Sequence, residues 1–127
     1  MTIAFWCVFI AGLLPYIATL AAKIGAGGYD NKEPRRWLAR QEGFRARANA
    51  AQQNGFEAFA LFAAAVLMAR VAHGPQARVD MLAMAFIAAR VVYLPVYLAG
   101  WGDMRSLVWS AGFIATTWIF LVAAGLG

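Results

Sequence analysis

The sequence predicts an all-α integral membrane protein, a four-helix bundle of up-down topology. Three observations carry that prediction. Hydrophobic residues make up 63% of the 127 and charged residues only 13%, against about a quarter charged in a soluble domain. Mean hydropathy is +0.63. The apolar residues also fall into four stretches, each near the ~20 residues that cross a ~30 Å bilayer core as a helix. Helices satisfy their own backbone in lipid, so four stretches imply four packed spans. The length suits one domain over residues 1–127.

The first span runs from about Thr2 to Ala22. No Lys or Arg precedes its apolar core, and it is longer than a signal-peptide core, so it is expected to stay as a span. Pro15 within it should kink the helix, a defect that neighbouring helices can absorb. Cys7, the only cysteine, has no disulfide or metal partner at a suitable spacing and reads as a small buried hydrophobe.

Residues 23–47 form a loop that, with the entry to the second span, holds Lys23, Lys32, Arg35, Arg36, Arg40, Arg45 and Arg47, seven of the eleven basic residues. The positive-inside rule places this loop in the cytoplasm and both termini on the far side. It also accounts for the net charge of +5 without nucleic acid, because the cations are not interleaved with exposed aromatics on a polar face. The second span runs from about Ala48 to Val71. The Gly-Pro loop "HGPQAR", with His73 as a solvated residue, leads to the third, about Val79 to Leu98. The turn "AGWGDMR" returns the chain to the basic side before the fourth, about Leu107 to Leu126. Trp37, Trp101 and Trp109 lie near that side, where interfacial anchors belong. No cluster has metal-ligand spacing, so no metal is expected.

Polar residues inside the spans carry the chemistry. At about 100° and ~1.5 Å per residue, Arg47, Asn54 and Glu57 share one side of span two. Arg90, Tyr93 and Tyr97, spaced three and four apart, share one face of span three. An arginine within a span costs on the order of 2.5–3.5 kcal/mol unless paired or hydrated. Glu57 is the acid at matching depth, so an ion pair or shared hydrogen-bond network between Glu57 and Arg90 is expected. Arg105 opens span four a short turn after Tyr97, so Arg47, Tyr97 and Arg105 should converge near one membrane face. Two guanidiniums, a phenol, an amide and a carboxylate suit an anionic, peptide-like ligand.

The segments "RANAAQQNGFEAF" and "ARVVYLPVYLAGWGDMRSLVW", with Asn54, Glu57, Arg90, Tyr93, Tyr97 and Arg105 in that order, resemble the MAPEG family, membrane-associated proteins in eicosanoid and glutathione metabolism. The resemblance covers nearly the whole chain. It implies a homotrimer in the lipid bilayer that binds glutathione as co-substrate between subunits and acts on a lipophilic small molecule by transferase or peroxidase chemistry. Arg105 would then favour the glutathione thiolate and Tyr97 would assist. Arg47, Asn54, Glu57, Arg90 and Tyr93 would hold the tripeptide. The alanines of span two would permit close subunit packing. The short, alanine-rich form suggests a bacterial inner-membrane protein.

Three positions depart from the family pattern. Ala50 stands where eicosanoid enzymes carry an arginine, Gln53 where some members carry another, and Trp109 where a tyrosine is common. These departures support an expectation of a different class: a non-catalytic membrane scaffold or lipid-binding protein on the same fold.

Overall fold

The computed structural model describes all residues, Met1–Gly127. It contains five helices in chain order: α1 (Ile3–Lys23), α2 (Pro34–Ala39), α3 (Gly43–Val71), α4 (Gln76–Leu98) and α5 (Gly102–Ala123). Four of them, α1, α3, α4 and α5, are long and apolar enough to cross a membrane. The links between α3 and α4 and between α4 and α5 span only residues 72–75 and 99–101, and such short connections make consecutive helices antiparallel neighbours. Helix α1 packs on α3 and α4, and α5 packs on α4 and α3.

Small residues at helical spacing build the α1–α3 contact. The buried side of α1 is Ala4, Cys7, Ala11, Pro15, Ala18 and Ala22, and that of α3 includes Ala48, Ala51, Gly55, Ala65 and Ala69. Where lipid tails are as apolar as leucine, helices associate by close packing, and small residues let the backbones approach. At Gly55 the approach is tight enough that an added Cβ would lie 3.0 Å from Cγ of Pro15. The bulk of the core is supplied by Phe62, stacked on Phe86 with ring centroids 3.9 Å apart, and by the fully buried Ile119. The larger apolar side chains of α1, such as Phe9, Leu13, Ile17 and Leu20, are exposed, as a lipid-facing surface requires.

The four long helices cover the four apolar stretches but differ at their ends, and α5 stops at Ala123, short of the expected Leu126. Helix α3 begins at Gly43, α4 at Gln76 and α5 at Gly102, each three to five residues before the expected start. Hydropathy marks the apolar core of a span, whereas the helical backbone continues through the polar interface. Arg45, Arg47 and Arg105 are therefore helical residues on defined faces. Helix α1 continues through Pro15, whose carbonyl accepts from Thr19 Oγ1 at 3.1 Å.

The basic segment holds a short helix, α2, that the sequence reading does not contain. Trp37, expected as an interfacial anchor, is buried instead. It packs with Leu38 against Ala22, Ala48 and Leu98, its ring edge-on to Tyr29 at 4.9 Å. A second carboxylate also enters the bundle: Asp80 of α4 accepts from the backbone N–H of Ala4 at 2.9 Å. That bond satisfies one of the free donors at the α1 N-terminus, while the hydroxyl of Thr2 accepts from Phe5 at 3.1 Å, a cap preference shared by Ser, Thr and Asp.

Candidate functional site

The seven residues singled out from the sequence line three adjoining clefts on the α3–α4–α5 side of the bundle. At the basic end, Arg47, Tyr97 and Arg105 line a cleft of about 180 Å³ with Gly100, Trp101 and Gly102. Arg105 also lines the next, about 400 Å³, with Asn54, Tyr93, Ser106, Trp109 and Ser110. Asn54 and Trp109 are shared in turn with a third, about 140 Å³, which adds Glu57, Arg90, Leu61, Phe86 and Phe113. The walls change from cationic to apolar along this path.

The turn between α4 and α5 shapes the mouth. Gly100 has φ +77°, in the left-handed region that favours glycine, and a Cβ there would stand 3.7 Å from the Arg47 guanidinium. Arg47 donates through Nε to the Leu98 carbonyl at 3.0 Å, one of the carbonyls that a helix C-terminus leaves free. The convergence of Arg47, Tyr97 and Arg105 expected from the sequence is thus present. The Arg105 guanidinium lies 4.8 Å from the centroid of the Tyr97 ring, a cation–π distance. Tyr97 is edge-on to Tyr93 at 5.4 Å.

The structure alters the expected pairing of Arg90. No ion pair joins it to Glu57; the only ion pair in the chain is Arg36–Glu33. Arg90, 8% exposed, donates instead to Oδ1 of Asn54 at 2.9 Å, and its guanidinium lies 4.1 Å from the Tyr93 ring centroid. Tyr93 is three residues nearer the basic end of α4, so the arginine side chain leans toward the interface, as long cationic side chains do. At that level α3 presents Asn54, one turn before Glu57. Neither the ion pair nor the hydrogen-bond network expected between Glu57 and Arg90 is present: the Asn54 amide takes the place of the carboxylate, and Glu57 is left exposed on the cleft wall.

This geometry separates two kinds of residue. Arg90 and Tyr93 are buried and engaged with their neighbours. Arg47, Tyr97 and Arg105 are half-buried and Glu57 is exposed, so these four face the open clefts. Because Asn54 accepts through Oδ1, its two N–H donors remain for a ligand. Ser106, Trp109, Ser110 and Thr116 of α5 also line these clefts and were not among the sequence candidates for binding. They lie one, four, five and eleven positions after Arg105, which at about 100° per residue keeps them on one side of α5, and that was the available signal. Trp109 stacks on Phe113 with ring centroids 5.1 Å apart and forms the wall between the two deeper clefts.

Comparison with known proteins identifies the family. Neither the curated proteins nor the solved structures contain a match to the chain. A family model does match, described as the MAPEG family and covering residues 3–125. The chain therefore belongs to the MAPEG family, membrane four-helix proteins of a glutathione-related transferase and peroxidase type.

Proposed function

We propose that this protein binds glutathione at the basic end of its clefts and uses the thiolate to conjugate or reduce a lipophilic electrophile arriving from the bilayer. The observation that carries this reading is Arg105, a half-buried cation without a carboxylate partner at the junction of two clefts. A thiol of reference pKa ~8.5 is mostly protonated at neutral pH, and a guanidinium beside it favours the anion by about 1.4 kcal/mol for each unit its pKa falls. Tyr97, beneath Arg105, donates its phenolic hydrogen to the same sulfur. Arg47 takes a carboxylate of the tripeptide, the free Asn54 N–H groups take a peptide carbonyl, and Glu57 takes the ammonium. Arg90 and Tyr93 hold Asn54 and the cleft wall in place. The apolar end, with Leu61, Phe86 and Phe113, receives the electrophile.

The same reading includes a homotrimer with the basic end in the cytoplasm. Its support is the exposed Glu57 at mid-span: a carboxylate facing hydrocarbon is costly, and a neighbouring subunit covers the open cleft wall.

One observation favours a non-catalytic scaffold instead. Arg47 already spends its Nε on the α4 C-terminus, and Ala50 supplies no second cation. Titration of the purified protein with glutathione, followed by thiolate absorbance in the ultraviolet, separates the two. The enzyme reading expects saturable thiolate formation that Arg105→Ala abolishes. Absence of binding, or a thiolate signal indifferent to Arg105, selects the scaffold.

A further inference from the structure

The basic segment between α1 and α3 is built as a platform. Burial of Trp37 and Leu38 fixes α2 against the ends of α1, α3 and α4. Gln41 Nε2 donates to the Trp37 carbonyl at 3.0 Å. Arg45 donates to the carbonyls of Ala22 and Ile24 at 2.7 and 2.9 Å, tying the end of α1 to the start of α3. Lys23 lies over the Tyr29 ring, 4.7 Å from its centroid, and the other cations of this segment divide into two groups. Arg45 and Arg47 serve helix ends, and Arg36 pairs with Glu33 at 3.5 Å. Lys32, Arg35 and Arg40 are exposed and have no carboxylate partner.

The level of this platform is marked by exposed apolar residues at the ends of three different helices: Ile24 after α1, Phe44 in the first turn of α3 and Trp101 before α5. Tryptophan is enriched at the boundary between hydrocarbon and headgroups, and Ile24 and Phe44 extend the apolar surface up to the same level. Three unpaired cations held beside that boundary meet lipid phosphates before any soluble partner.

We propose that Lys32, Arg35 and Arg40 form a docking surface for the phosphate headgroups of anionic glycerophospholipids in the leaflet at the basic end of the bundle. The surface is separate from the clefts and does not depend on the function proposed for them. Because α2 is already ordered, the side chains bind without the cost of folding a loop, and each basic residue near an anionic surface adds on the order of fivefold in affinity. The interaction is electrostatic and weakens with salt.

The test is headgroup selectivity in reconstituted bilayers. The full-length protein, in vesicles of phosphatidylcholine with about a fifth phosphatidylglycerol, is read by the fraction of spin-labelled lipid of each headgroup held at the protein surface. Preferential retention of phosphatidylglycerol is expected, lost in 0.5 M salt on the order of the Debye screening distance shrinking below ~5 Å. The triple variant K32Q/R35Q/R40Q should lose the preference severalfold. The pair R70Q/R78Q, exposed cations at the opposite end, should keep it. Equal retention of both lipids by the native protein overturns the proposal. So does equal loss in the two variants, which would assign the effect to net charge, or a preference unmoved by the triple variant, which would leave the platform to an acidic soluble partner.

Discussion

The choice of Asn54 over Glu57 as the partner of Arg90 is open to direct measurement by two double-mutant cycles, Asn54→Ala with Arg90→Met and Glu57→Gln with Arg90→Met. The Arg90–Asn54 bond is short, 2.9 Å, and its donor is a charged group that is 8% exposed. Hydrogen bonds to charged groups are worth about 1.5–3 kcal/mol net, but within membrane bundles the measured couplings average about 0.6 and reach about 1.7 kcal/mol. The burial places this one near the upper end, so a coupling of about 1–2 kcal/mol is expected. For Glu57, which makes no hydrogen bond or ion pair to Arg90, the coupling should not be resolved from zero. The assay is reversible unfolding in mixed micelles of increasing denaturing detergent, with each single and double variant extrapolated to the same reference. A coupling to Glu57 that exceeds the coupling to Asn54 would refute the reasoning, because it would mean that the arginine turns away from the interface toward the carboxylate.

Other outcomes follow from particular contacts. Gly55→Ala places a methyl group 3.0 Å from the rigid ring of Pro15 and should cost about 1–3 kcal/mol, whereas Gly27→Ala, with nothing within 4 Å, should be silent in the same unfolding assay. Arg45→Met removes two charge-assisted bonds to the end of α1 and should cost about 1–2 kcal/mol; hydrogen exchange should report the loosening at residues 22–26 first. Asp80→Ala removes the acceptor for Ala4 N–H and for Gln76 Nε2, so a loss of about 0.5–2 kcal/mol is expected, with faster amide exchange confined to the first turn of α1.

Much of this protein is determined by its sequence alone. Four apolar stretches of about 20 residues have the length of helical spans rather than of barrel strands, and a helix satisfies its own backbone where lipid offers no partner. The 3.6-residue period then puts Arg47, Asn54 and Glu57 on one face and Arg90, Tyr93 and Tyr97 on another. Small residues at three-to-four spacing mark the face that α1 turns to α3. These are properties of single helices, and each helix carries its own pattern. What the pattern does not contain is how far one helix slides along the next and which way a long side chain leans. Tertiary packing decides both. It brings the Pro15 ring onto Gly55, lays Arg90 over Tyr93 so that Asn54 becomes its acceptor, and sets Asp80 against the free N–H groups of α1. It also buries Trp37 of α2, because the last turns of α1 and α4 and the start of α3 leave an apolar recess there. Sequence spacing specifies direction around one axis. The site depends on rotations, translations and rotamers shared among several axes, and those are settled only when the helices pack.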